Sequence, residues 1–261
     1  MGDRNGLDYD GEIIDSHAHI GAYHDKQYHC KELLEIMNES GINSALVSNL
    51  DGASGPQIEA NAKTLDAARK NKGRLFGLAW ANPKEGLEAL RDVKACLEDA
   101  ETFKGVKFHP TDNAYAFNDI SVNPFLDLAA RYDVPVVVHT ADDEFSSPKQ
   151  VYEMAKRHPK TNVVMYHTCI YDARNGGGKR EAMRYSKELP NLYLETSWVD
   201  APFIAEAVKV AGADKVIFGT DAPFEGKYHY PNYFRRLKEA GSTKTELRIV
   251  MYENSKKLFK I

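Results

Sequence analysis

The sequence is short of cysteine, of long apolar runs and of basic excess, and each shortage removes a class of protein. Its three cysteines, Cys30, Cys96 and Cys169, are odd in number and far apart. They fit neither a disulfide framework nor a CxxC metal clip, which points to a reducing cytoplasm. No stretch nears the roughly 18 apolar residues needed to cross a bilayer. The polar, acidic start MGDRNGLDYDGE lacks the basic and apolar regions of a secretory leader, and Gly2 without Ser or Thr at position six misses the myristoylation pattern. With Lys+Arg at 34 against Asp+Glu at 38, the basic footprint of a nucleic-acid partner is missing. No GxGxxG or Walker pattern marks a nucleotide crevice, and the glycine triplet 176–178, without the lysine and hydroxyl residue of a phosphate loop, reads as a flexible connection. No repeat or low-complexity linker divides the chain.

What is present suits one large core. The chain has 261 residues, 43% of them hydrophobic and 28% charged, the usual size of a single (β/α)8 barrel. Short β-rich runs alternate with segments of helical period throughout. The runs are 12–19, 43–49, 74–80, 104–109, 134–140, 162–167, 191–196 and 215–221. The helical segments are 31–40, 58–71, 86–100, 124–132, 148–157, 179–188, 203–210 and 232–239, with a last helix over 244–259. Runs such as VPVVVHT and NVVMYHT are almost continuously apolar, as strands of a parallel sheet covered by helices are. Eight strand–helix repeats predict an α/β fold, a closed TIM barrel forming one domain over 1–261, in preference to an open doubly wound sheet.

The chemistry gathers where these strands end. The first ends IIDSHAHIG, with His17 and His19 two apart and therefore on one face of a strand. The fifth ends in His139, the sixth in His167, and the eighth reads VIFGTDAP with Asp221; the fourth, GVKFHP, carries Lys107 and His109. Barrel active sites are built at such ends from several strands, and several imidazoles with one carboxylate suit Zn, Mn or Fe. Taken singly, each residue has a plain reading: a hydrogen-bonded structural histidine, an aspartate capping a turn, a surface lysine. Their coincidence at four strand ends favours a metal site. His24, His29, His158 and His229 lack that context.

These residues together resemble the amidohydrolase superfamily. The pieces GVKFHP, FGTDAPF and MYENSKKLFKI are similar to its amidohydrolase-related branch, which holds the aminocarboxymuconate semialdehyde and resorcylate decarboxylase group. The resemblance implies that His17, His19, His139 and Asp221 bind the principal metal, with zinc the first expectation and manganese or iron the others. His167 would lie beside it, contacting a second ion or acting on the substrate. Lys107 matches a lysine that is carboxylated between two metals in some members and unmodified in the decarboxylase-like branch, so one ion is expected.

Hydrolysis of an amide, lactone or other ester of a small molecule is the leading expectation. A metal-activated water would attack, Asp221 would orient it, accept its proton and pass that proton to the leaving group, and His167 would stabilise the carbonyl oxygen or act as the acid. Lys107 and Arg174 would bind a substrate carboxylate. The alternative is non-oxidative decarboxylation, which the ligand set does not separate from hydrolysis; the chain's length, shorter than expected for the decarboxylases, tilts the reading to hydrolysis. A TatD-like nuclease ranks third, because Lys107 and His109 stand where that family has a glutamate, and a non-enzymatic barrel ranks last. The partner is a small molecule, with neither nucleic acid nor membrane, and a homodimer is the largest assembly considered. Tyr115, Phe117, Tyr171, Trp198, Phe224 and Tyr228 are aromatic residues for a pocket wall or for ordinary packing. Cys169, two residues past His167, reads as a small buried side chain, and Gly219 as an aid to close packing beside Asp221.

Overall fold

Valine, isoleucine and leucine crowd the short runs because each strand is covered on both faces, by helices outside and by the other strands' side chains inside. In the computed structural model, which describes residue 4 and residues 6–261, eight parallel strands follow the order of the chain. They are β1 (Ile14–Tyr23), β2 (Ser44–Asn49), β3 (Leu75–Trp80), β4 (Phe103–Phe108), β5 (Val136–Ala141), β6 (Val163–Ile170), β7 (Leu192–Glu195) and β8 (Val216–Ile217). Each predicted strand overlaps one of them, and the fold is the predicted TIM barrel. Met1–Asp3 and Asn5, part of the stretch on which the leader and lipidation patterns were judged, lie outside the described residues.

The ring closes between its first and last strands. Ser16 N–H donates to Phe218 O at 3.0 Å, Asp221 N–H to His17 O at 2.7 Å, and His19 N–H to Ala222 O at 2.7 Å. The buried carboxylate of Asp15 reinforces this seam, accepting from Thr220 N–H (3.1 Å), Thr220 Oγ1 (2.6 Å), Tyr230 OH (2.9 Å) and His17 N–H (3.0 Å). Ile14, Leu46, Leu78, Val137, Val164 and Ile217 fill the barrel interior, closed from below by Leu258 and Phe259. Two residues further along their strands, the same inward face carries Ser48, Trp80, His139 and Tyr166. An apolar floor therefore gives way to a polar layer within one strand repeat.

Two departures from expectation have physical causes. A short strand, Lys26–Tyr28, pairs antiparallel with the end of β1 (Gly21 opposite Tyr28) and makes a hairpin; its three residues, KQY, carry no apolar alternation to announce it. The last predicted helix runs as Lys244–Arg248, a π turn over Ile249–Glu253, and Asn254–Phe259. The wider turn frees a carbonyl, and Val250 O accepts a hydrogen bond from Phe218 N–H at 2.9 Å at the foot of the seam. Among the described residues, no helix is long and apolar enough to cross a membrane.

Candidate active site

A cavity of about 370 Å³ opens where the strands end, and every strand-end residue singled out for chemistry lines it, whereas the loop residue Arg174 does not. Its floor is His17, His19, Lys107, His109, His139, His167 and Asp221, and its walls include Tyr23, Tyr28, Leu50, Ile170, Tyr171, Trp198 and Phe224. His17 and His19 leave β1 on one face, as their spacing predicts, with their Nε2 atoms 3.0 Å apart. Both meet the same oxygen, Asp221 Oδ1, at 3.1 and 3.0 Å. His167 Nε2 lies 3.1 Å from His139 Nδ1, and Lys107 Nζ lies 3.4 Å from His17 Nε2.

The backbone bends to achieve this. His167 and Asp221 sit at φ 65° and 63°, in the left-handed region that an L-residue adopts at a cost of order 1–3 kcal/mol. Such strain is characteristic of functional sites, and here it falls on two of the residues chosen from the sequence. Trp198, also left-handed, donates from Nε1 to Asp221 Oδ2 at 2.7 Å, so only Oδ1 faces the histidines.

Burial dominates the electrostatics. It pushes the Lys107 ammonium down to about 8 against the pull of Asp221 and Glu195, and His167 down to about 4. His17 and His139 are held well below the usual imidazole value, by burial first and then by neighbouring Lys107 and the other histidines. Burial alone would raise Asp221; its hydrogen bond with His19 and the positive field of His19, His167 and Lys107 outweigh that and hold it ionised, below the usual carboxylate range. A carboxylate that stays ionised, beside His17 and His139 that resist protonation, suits cation binding.

The donor set fits a divalent cation on one further observation: His139 Nε2 is buried without a hydrogen-bond partner. His17, His167 and Asp221 each offer a ligand atom, all within 4.8 Å of one another. Lys107 is fully buried, its Nζ 4.4 Å from the centre of the Tyr166 ring, so the surface reading of this lysine is corrected.

Some residues were missed or fall elsewhere. Glu195 ends β7 beneath the histidines and is fully buried, its carboxyl pushed up to about 8 by burial while hydrogen bonds from Ser197 and His167 pull it back. The signal existed, since Glu195 and Ser197 stand two apart at a strand end just as His17 and His19 do. His109, given no role from the sequence, stacks on His139 with centroids 3.9 Å apart and lies parallel to Trp80 at 6.0 Å. Tyr23 and Tyr28 join the wall through the unforeseen hairpin. Tyr171, Trp198 and Phe224 line the cavity, whereas Tyr115, Phe117 and Tyr228 are not among its lining residues. Arg174 is engaged elsewhere, pairing with Asp142 (Nη2–Oδ1 2.9 Å) and Glu181 (3.1 Å); reaching a substrate would mean breaking both ion pairs. Cys169 is buried outside the cavity lining, its thiol pushed up to about 12.

A family model described as amidohydrolase matches residues 14–261. No curated protein matches. Among solved structures, the chain is similar to a dihydroxybenzoic acid decarboxylase from a Polaromonas species with bound manganese and the inhibitor 2-nitroresorcinol (TM-score 0.72, 18% identity, 95% of this chain and 97% of that one). It is also similar to a 5-carboxyvanillate decarboxylase from Sphingomonas paucimobilis (TM-score 0.74, 14% identity, 96% and 99%). A third is a probable 2-pyrone-4,6-dicarboxylic acid hydrolase from Acinetobacter baumannii with citric acid bound (TM-score 0.71, 16% identity, 96% and 100%). At these identities the likeness establishes the fold.

Proposed function

The chain belongs to the amidohydrolase family and is an enzyme of that superfamily, and on that premise we propose that it is a metal-dependent non-oxidative decarboxylase of a small hydroxylated aromatic carboxylic acid. The observation carrying this reading is a buried cation, Lys107, set beside the histidine–aspartate cluster at the bottom of an aromatic-walled cavity of about 370 Å³. That space suits one substituted ring, and the decarboxylase likenesses support the choice.

In this reading His17, His19, His139 and Asp221 hold one divalent cation, with His167 beside it and residues 1–261 acting as one catalytic domain. Once bound, the cation supplies positive charge that holds substrate oxygens and offsets negative charge developing in the transition state. The remaining work falls to the chain. Lys107 binds the carboxylate by charge-assisted hydrogen bonds, and the ring lies between Trp198, Phe224 and the tyrosines of the wall. Asp221, ionised at rest, takes the phenolic proton and passes it to the ring carbon that bears the carboxylate. The C–C bond then breaks, its electron pair stays with the ring, CO2 leaves, and the phenolate product recovers a proton from water.

The test is to load the protein with manganese, and separately with zinc, and to follow a panel of hydroxybenzoic acids by CO2 release and phenol formation. A second reading, lactone hydrolysis, is favoured by the same ionised Asp221, which suits a base acting on water, and by the pyrone hydrolase likeness. Opening of a pyrone lactone without CO2 would put that reading in place of the first.

A further inference from the structure

The carboxylate beneath the site has no part in the proposed chemistry, yet it reaches three of the histidines, His17 and His167 directly and His139 through Ser197 and His167. Glu195 Oε2 accepts from the Ser197 hydroxyl at 2.6 Å and from His167 N–H at 2.9 Å, and lies 3.3 Å from His17 Nδ1. Ser197 N–H donates to its other oxygen. Backbone N–H groups donate to both of its oxygens, which favours the ionised, accepting form against the burial that raises it. His17 Nδ1, which also lies 3.2 Å from Ser197 Oγ, is then the protonated nitrogen, and His17 Nε2 keeps a free lone pair. The Ser197 hydroxyl, having spent its hydrogen on Glu195, can only accept from His167 Nδ1, 2.7 Å away. His167 Nε2 is then the lone-pair nitrogen, and it accepts from His139 Nδ1 at 3.1 Å. This leaves His139 Nε2 with a lone pair, and that is the ring atom found buried and unpartnered.

We propose that Glu195 is a positioning residue that, directly and through Ser197, fixes the tautomers of His17, His167 and His139 so that His17 and His139 present Nε2 lone pairs to the cation site. The proposal rests on the metal reading above for its purpose, but not for its hydrogen bonds. Which ring nitrogen ligates is set by the bond its partner nitrogen makes. His19 is an internal control, because its Nδ1 lies near Ser48 (Oγ 3.1 Å, carbonyl O 3.4 Å) and away from Glu195. The neighbouring strand makes room for the device: a Cβ at Gly219 would stand 2.7 Å from Glu195 Cδ. The glycine beside Asp221 therefore gives space to this carboxylate.

The test pairs histidine 15N NMR of the metal-free protein with Mn2+ titration of Glu195→Gln, Ser197→Ala and Gly219→Ala. In the unaltered protein His17, His139 and His167 should carry their proton on Nδ1. Glu195→Gln offers one oxygen where two received the donors, so His17, His139 and His167 should become tautomer mixtures while His19 does not change. Manganese affinity should fall ten- to a hundredfold. Ser197→Ala should disturb His167 and His139 most and His17 less, since the lost hydroxyl also lies 3.2 Å from His17 Nδ1, and Gly219→Ala, by displacing the carboxylate, should resemble Glu195→Gln. Unchanged tautomers in folded Glu195→Gln overturn the proposal, as does a loss of thermal stability alone with affinity retained. Should Glu195→Gln not fold, the other two variants decide by the same signals. If the unaltered protein takes up no manganese, the metal reading fails, and the tautomers still decide for or against the relay.

Discussion

Asp221 is held from three sides: His17 and His19 at one oxygen and the Trp198 indole at the other. Replacing it with Asn keeps the shape and removes the proton carrier. The expected result is a folded protein with turnover lower by about 10²–10⁴, measured as kcat beside an unchanged circular dichroism spectrum. Trp198→Phe removes one hydrogen bond to a charged group, and kcat should fall about tenfold, the equivalent of about 1.4 kcal/mol. At the same scale, burial pushes the Cys96 thiol up to about 12. Alkylation of native protein at pH 8, followed by mass spectrometry, should leave Cys96 largely unmodified. Residue by residue, the site was half legible. The HxH pair, His139, His167, Lys107 and Asp221 announced themselves because polar groups ending apolar strands have few structural uses. Glu195 did not, and His109 stood out without a role, since their parts depend on what lies beneath and beside the ligands, which a linear pattern does not carry. Arg174 was legible as a charge but not as one already paired.

Elements were more legible than their joints. The helix Pro148–Arg157 falls where its period places it, and its start is fixed by a capping box: Ser147 N–H donates to Gln150 Oε1 at 2.8 Å and Ser147 Oγ accepts from Gln150 N–H at 3.4 Å. Ser147→Ala should lower unfolding free energy by about 1 kcal/mol, read from urea midpoints, without changing turnover. The hairpin at Lys26–Tyr28 and the π turn at Ile249–Glu253 were invisible for opposite reasons. One is too short and polar to show a period; the other sits within a sequence that is helical by every local rule and is widened by the demand of Phe218 for a carbonyl.

Across the whole molecule, stability carries a pH signature. His229 is fully buried, donating from Nε2 to Thr220 O at 2.9 Å, and burial lowers its ring to about 4. A depressed imidazole stays neutral in the folded state while the unfolded chain takes up a proton near 6.5. The unfolded state therefore binds more protons between pH 6.5 and 4, and stability is lost as pH falls through that window, by at most about 3 kcal/mol. Urea midpoints measured across this range should show the acid loss in the unaltered protein and a flatter profile in His229→Gln.

The seam between β1 and β8 gives the barrel a calendar. A ribosome releases His17 and His19 among the first residues of the fold and Asp221 among the last. On the proposed ligand set, a nascent chain displays half a chelate for nearly the whole of its synthesis. Only when the last strand docks and Asp221 N–H reaches His17 O do imidazoles and carboxylate share one point in space. On that ligand set, cation uptake would mark the closing of the ring, and the bound ion would act as a rivet across the joint between its first and last strands.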